Sequence, residues 1–382
     1  MQLTGGFPRE LLDSSVTERV AFFDSYTMPH PRLFEAVQQL TNSIYESAKP
    51  PLVFVFGPTG VGKSTLIRKV SKTLIETALP DLFENKGRIP CAGIEAATPE
   101  FSNFDWKDLY VRGLIALQEP LIDNKVAPNS VTKKTNSDKN KLKLRLSFEE
   151  ALRQRHPDAF FIDEAQNLGK LSSGRKLKDQ TDCIKSIANI SGVQFILVGT
   201  YELIVLRNLS AQLCRRSVDI HFSRYQSNPE DLKVFENIVR TFQYYLPLPE
   251  MPDLASHWDF CYERTIGCVG ILKDWLSRTL SAVLKADPSA RTVTYKDLKK
   301  HAWSVEQCKV MLAEAMEAEG KFRDKDAGKN DLRIALGLAP SQPSTRQMPS
   351  QSNTATSQSK RKTRSVGKPN PTRRPTGEQS DG

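Results

Sequence analysis

Between Leu52 and Thr65 the sequence reads LVFVFGPTGVGKST, five residues without a polar side chain followed by a glycine-rich turn and a Lys-Ser-Thr triplet. Gly57, Gly60 and Gly62 allow the backbone to curl so that successive amides point at phosphate oxygens. Pro58, Thr59 and Val61 fill the turn; Lys63 supplies a point charge, Ser64 a hydroxyl for Mg²⁺, and Thr65 continues into the next element. This is the chemistry of nucleoside triphosphate binding, with ATP and Mg²⁺ as the expected cofactors. One hundred residues beyond Lys63, AFFIDE ends an apolar run in two carboxylates, Asp163 and Glu164. An acid at such a strand end can hold the Mg²⁺ shell, as expected of Asp163 together with Ser64. The next acid, Glu164, can orient and polarise an attacking water. Thr200, after the run Val193–Val198, offers a hydroxyl beside the γ-phosphate, or it merely closes a turn. Arg215 and Arg216 follow a predicted helix, Tyr201–Leu213. One of them can serve as an arginine reaching a neighbouring subunit's phosphates, or the pair can close a helix C-terminus.

These groups need strands that end together and a helix pointing its N-terminus at the loop. The apolar run into Gly57 predicts that strand, and the amphipathic stretch Ser64–Thr77 predicts that helix. After Pro229 the strand–helix alternation stops. Leu232, Phe235, Ile238, Val239 and Phe242 recur at helical spacing, and Ile271, Leu272, Trp275, Leu276 and Leu280 share one face of a predicted helix over Val269–Leu284. Lys273 lies on the opposite side, where a helical lid could lower a cation onto nucleotide or leave it solvated. A last helix is predicted near Ala302–Phe322. The expected organisation is an N-terminal segment and α/β core over 1–228, a helical lid and further helices over 229–325, and a basic tail over 326–382.

The chain has 382 residues, 39% hydrophobic and 26% charged, room for one large α/β domain with smaller parts. The longest apolar runs are strand-sized, far short of the roughly 18 residues a membrane helix needs. The first apolar stretch is broken by Pro8, Arg9, Glu10 and Asp13, unlike a signal peptide. Six cysteines without a CxxC pair read as reduced thiols, so a cytoplasmic location is expected.

The formal charge of +10 is unevenly spread: residues 341–382 hold eight basic side chains against Glu378 and Asp381, with no aromatics. Such a segment cannot bury enough surface to offset its ordering entropy, so disorder is expected. It could hold nucleic acid, engage an acidic partner, direct nuclear import or keep the chain soluble. A second basic stretch, about 123–145, reads as an inserted surface loop. There Lys141, Lys143 and Arg145 alternate with Leu142, Leu144 and Leu146, which places the cations on one side of an extended segment. With Lys133, Lys134, Lys139 and the upstream Lys107, they are candidate contacts to a phosphate backbone, or a solvated loop edge.

The set FGPTGVGKST, FFIDEAQNL, ILVGTYEL and QLCRRS, in this order and followed by a helical lid, resembles the AAA+ ATPases of transposons, the TnsC and TniB group, over about residues 20–290. The resemblance implies a core sheet of five parallel strands, ATP held between subunits, and rings or helical filaments around double-stranded DNA in the bacterial nucleoid. It implies a regulator linking a TniQ- or TnsD-type target selector to a TnsB-type, and in some systems TnsA-type, transposase. Carried over, Lys63 and Ser64 match the phosphate-loop lysine and Mg²⁺ ligand, Asp163 and Glu164 the paired acids, Thr200 the first sensor, and Arg215 or Arg216 the finger. The segment YTMPHPRL lies where family members close over adenine, which makes His30 and Pro31 candidates for that pocket. Replication-initiator or clamp-loader-like ATPases share this core chemistry, and a P-loop small-molecule kinase or signalling NTPase is the alternative from another class.

Overall fold

In the computed structural model, residues 6–99, 104–122, 135–170, 175–209, 211–322 and 326–338 are described. Two compact units divide the chain, Met1–Arg323 and Asp324–Gly382.

Five parallel strands form the sheet of the first unit: β1 (Leu52–Phe56), β2 (Cys91–Glu95), β3 (Ala159–Asp163), β4 (Gln194–Gly199) and β5 (Ser217–His221), in the order β2-β3-β4-β1-β5. Both faces of the sheet are covered, which is why its central strands are uninterrupted apolar runs. Leu52, Phe54 and Phe56 of β1 enter one core with Phe160, Ile162, Phe195 and Leu197. The alternate residues Val53 and Val55 enter the other with Phe161, Ile196 and Val198.

Helices α2 (Pro31–Tyr45) and α3 (Lys63–Glu84) cover that second face through Leu33, Leu40, Leu66, Val70 and Leu74. On the first face lie α4 (Trp106–Ala116), α5 (Thr135–Arg155), α6 (Arg175–Ser191) and the short α7 (Leu203–Arg207). Helix α8 (Ala211–Arg216) leads into β5, so the single helix predicted over 201–213 is two short ones.

The basic stretch is helical rather than an extended surface loop from residue 135 onward. Residues 141–145 are not extended; they lie within α5. Leu144, Phe148, Ala151 and Leu152 are buried at helical spacing, while Leu142 and Leu146 are exposed. The alternation of Lys and Leu is overridden by the buried stripe that continues beyond it, because an apolar face of about two turns buries more surface than one edge strand.

A separate apolar cluster organises the helices α9 (Pro229–Tyr245), α10 (Trp258–Thr265), α11 (Val269–Ala286) and α12 (Tyr295–His301), while α13 (Val305–Phe322) packs through Cys308 in a smaller cluster with Ile266, Cys268 and Ile271. Phe235, Phe242, Trp275 and Leu280 form the centre of the larger cluster. Trp275 is fully buried, and its indole N–H donates to the Leu298 carbonyl at 3.1 Å. Helix α1 (Val16–Ser25) packs on this helical part, not on the sheet, through Phe23. Its Arg19 is buried and donates to the Pro247 and Pro288 carbonyls. In the second unit, α14 (Asp326–Ala335) is a helix at the start of the stretch read from sequence as tail. Residues 339–382, Lys133 and Lys134 lie outside the described residues. No helix among the described residues is long and apolar enough to cross a membrane.

Candidate nucleotide site

Strand β1 runs into the phosphate loop, and the loop hands over to α3 at Gly62. Gly60 and Gly62 have φ of 74° and 113°, the left-handed region that only glycine occupies without strain. Lys63 is buried, and its amine donates to the Gly57 and Pro58 carbonyls at 3.1 and 2.9 Å. Burial lowers its pKa, while the nearby Glu164 and Asp163 carboxylates favour the charged form. A lysine held on its own loop's carbonyls has an amine ready to exchange those neutral acceptors for phosphate oxygens.

The strand order places β4 beside β1 and β3 beside β4, so their ends converge on the loop. The Ser64 hydroxyl donates to Asp163 Oδ2 at 3.1 Å, which joins the two residues expected to hold Mg²⁺. A hydroxyl beside a carboxylate is an all-oxygen donor set of the kind this hard cation takes. Glu164 has a left-handed backbone, φ 50°, and its N–H donates to Asp163 Oδ1 at 2.9 Å. That turn starts the 3-10 segment Ala165–Leu168, which is anchored by Asn167 Nδ2 on the Ala96 carbonyl at 2.8 Å. Thr200 begins the loop after β4, and its hydroxyl is buried without a hydrogen-bond partner among the described residues. A buried hydroxyl costs free energy unless something completes it, and a phosphate oxygen or water at this position would do so.

On the other side of the loop, a cavity of about 490 Å³ is lined by Tyr26, Met28, His30, Val61, Gly62 and Lys273, among others. His30 caps α2 by accepting from the Leu33 N–H, and the Tyr225 hydroxyl lies 3.0 Å from its Nδ1. Burial, reinforced by Arg32 and Lys69, pushes its pKa down to about 4, so the ring is neutral at pH 7. Pro31 takes the first helical position of α2, where its missing N–H costs nothing. Lys273 does face the cavity, but its amine is held by the Phe23 carbonyl and sits 3.7 Å from the Phe23 ring centroid. Burial lowers its pKa to about 8. The lid meets the loop directly: the Ile271 N–H donates to the Gly60 carbonyl at 3.1 Å, and the lack of a side chain at Gly270 permits the approach.

Not every expected residue gathers here. Arg215 and Arg216 are exposed and lie at the opposite end of the sheet, where Ser217 pairs with Leu52 at the start of β1. A five-residue strand, about 16 Å, separates them from their own phosphate loop. They line a shallow groove with Lys49 and Asn189. Lys107, Lys141 and Lys143 are exposed on α4 and α5, while Arg145 bonds Glu149 at 2.8 Å and Ser186 at 3.0 Å, a local arrangement that occupies its guanidinium. Lys139 lies within α5. Sequence reasoning missed Gln166, which is buried between Glu164 and Thr200. The run DEAQ places it two residues beyond Glu164, yet its partner just after β4 is 34 residues away.

Residues 47–218 match the AAA domain family. A comparison with curated proteins finds no match. Among solved structures, the ORC2 protein of Aeropyrum pernix, determined in ADPNP and ADP complexes, is 15% identical, with 85% of this chain and 86% of that one covered at a TM-score of 0.51. The ORC1 protein of Aeropyrum pernix, determined in complex with DNA, is 16% identical over 77% of this chain and 68% of that one, with a TM-score of 0.49. A Walker-type ATPase of Pyrococcus abyssi is 16% identical over 85% and 90%, with a TM-score of 0.44. At 15% identity the ORC2 likeness speaks to fold alone: the fold is that of the AAA+ P-loop NTPases, and the AAA domain model matches a little under half of the chain.

Proposed function

We propose that the chain is a Mg²⁺-dependent ATPase that assembles on double-stranded DNA and regulates transposition, in the manner of the TnsC and TniB group. The observation that carries the reading is the division of the site between two ends of one sheet. Lys63, Ser64, Asp163, Glu164 and Thr200 meet at the C-terminal ends of the strands. The arginine pair sits at the other end, exposed and away from its own phosphate loop, as a finger reaching a neighbouring subunit's nucleotide would be.

In this reading the loop amides and Lys63 neutralise the β- and γ-phosphates, and Ser64 and Asp163 would hold Mg²⁺, which would supply countercharge to the triphosphate. Glu164 accepts a proton from the attacking water. Tyr26, Met28 and His30 form the wall for the base, with Pro31 fixing the start of α2 behind them, and Arg215 or Arg216 of a neighbouring subunit completes the charge stabilisation. Exposed Lys107, Lys141 and Lys143 supply cations for a DNA backbone, together with the basic tail. The transposon partners, a target selector of the TniQ or TnsD type and a transposase of the TnsB type, follow from the motif set shared with that group. A replication-initiator role is the second reading, favoured by the fold likeness to ORC2.

Sedimentation and negative-stain imaging with duplex DNA, without nucleotide, with Mg-ATP and with a non-hydrolysable analogue, test the proposal. Nucleotide-dependent rings or filaments are expected, and Lys63→Ala should abolish them. Filaments that survive Lys63→Ala would sink the reading. Stimulation of a TnsB-type transposase, as opposed to origin-specific duplex opening, separates the two roles.

A further inference from the structure

Buried Gln166 belongs to no role assigned so far, and its side chain spans two elements. The Nε2 group donates to Glu164 Oε2, and Oε1 accepts from the Thr200 N–H at 3.1 Å. That N–H and the Gly199 carbonyl belong to one peptide plane, and the carbonyl accepts from the Gly57 N–H at 3.3 Å. A single line of donors therefore runs from the first glycine of the phosphate loop, through the Gly199–Thr200 peptide and the Gln166 carboxamide, to the carboxylate of Glu164. Each link is planar and rigid, and donors that all point the same way polarise one another toward the anion at the end. Gly199 is part of the device: a Cβ there would collide with Gln166 Oε1 and press on Leu203.

We propose that Gln166 is a positioning residue that fixes the Glu164 carboxylate and couples its placement to the phosphate loop through the Gly199–Thr200 peptide. The inference rests on the reading of this site as an ATPase. Glu164 starts from a left-handed turn in which its side chain has no other hydrogen-bond donor among the described residues, so the carboxamide sets where the carboxylate points. A displaced Gly57, as when phosphates fill the loop, tilts the shared peptide and passes the shift to Glu164. Glutamine suits the position because it alone offers a donor and an acceptor at this reach without charge.

The test compares steady-state ATP hydrolysis, with and without duplex DNA, in the unaltered protein, Gln166→Met, Gln166→Glu, Gly199→Ala and the Gln166→Met/Gly199→Ala pair. Gln166→Met keeps the volume and removes both bonds. Gln166→Glu can still accept from the Thr200 N–H but cannot donate to Glu164 when ionised, so it breaks the carboxylate half alone and guards against a variant that fails to fold. Both should lower kcat by about 10- to 100-fold while KM, and the affinity for a non-hydrolysable triphosphate, change less than about threefold. The pair should be no slower than the slower single variant, because one relay has already been broken. A kcat within about twofold of the unaltered protein for Gln166→Glu, or losses that multiply in the pair, overturns the inference while leaving the ATPase reading intact. An unaltered protein that binds the analogue but releases no phosphate under any condition overturns the ATPase reading, and the inference with it.

Discussion

His30→Asn tests whether the chain segment beside the cavity is built around a neutral imidazole. Asparagine keeps an acceptor at the place of Nδ1, so it still caps α2 and faces the Tyr225 hydroxyl, but it does not titrate. In the folded protein His30 has a pKa of about 4; in the unfolded chain it returns to about 6.5. The folded value is the lower one, so the unfolded state binds the proton first as pH falls. Stability is therefore unaffected by this group above about pH 7, declines as pH drops through 6.5, and levels off below about 4. At about 1.4 kcal/mol per pH unit the full loss is about 3 kcal/mol, of which about 2 kcal/mol falls between pH 7.5 and 5. Urea unfolding of both proteins at those two pH values isolates the term, because every other titrating group is shared and cancels in the difference. The variant should gain about 2 kcal/mol relative to the parent on going to pH 5. A difference between the two proteins that stays constant with pH would refute the buried, neutral imidazole.

Arg224 and Glu319 form a buried bidentate pair at 2.9 and 3.1 Å, which ties the segment after β5 to α13. Arg224→Met should cost about 3–5 kcal/mol in denaturant unfolding by stranding the carboxylate, and Arg224→Met/Glu319→Leu should recover most of it. Equal losses in the single and double variants would contradict that account. Gly270→Ala sets a methyl group against the Gly60 carbonyl, where the lid meets the phosphate loop. Its affinity for ATP analogues, read by fluorescence titration, should fall about tenfold or more, with an overpacking cost of about 1–3 kcal/mol in stability; unchanged affinity would mean that the lid does not need this contact.

The residues with the clearest chemistry were legible because each obeys a local rule. Glycines at 60 and 62 stand where φ is positive, and Leu52–Phe56 is apolar throughout because a parallel strand is covered on both sides. What escaped was long-range or ambiguous in period. Lys141–Leu146 alternates like a strand for six residues, and only the continuation through Phe148 and Leu152 reveals the helix. No spacing joins Gln166 to Thr200 or His30 to Tyr225, which meet across 34 and 195 residues because the fold brings them together. Lys273 lines the cavity, but its bond to the Phe23 carbonyl depends on where α1 packs, which the sequence pattern leaves open.

The packing of α1 has a mechanical consequence. From α1 on the helical part the chain crosses to the core through Tyr26–His30, and it returns from the core through Phe222–Asn228. These two straps lie side by side, fastened by the Tyr225 hydroxyl at His30 and by Arg32 to Ser223 and Asp231. A body hung from one tether can tumble in any direction; one hung from two adjacent tethers swings like a door. The five-residue strap, fully drawn out, spans no more than about 18 Å, which bounds how wide the door can open. A rotation that kept both fastenings would turn about the line through His30 and Tyr225 and would have to break the Ile271–Gly60 bond; the cavity beside that line is where a bound molecule would have the shortest lever.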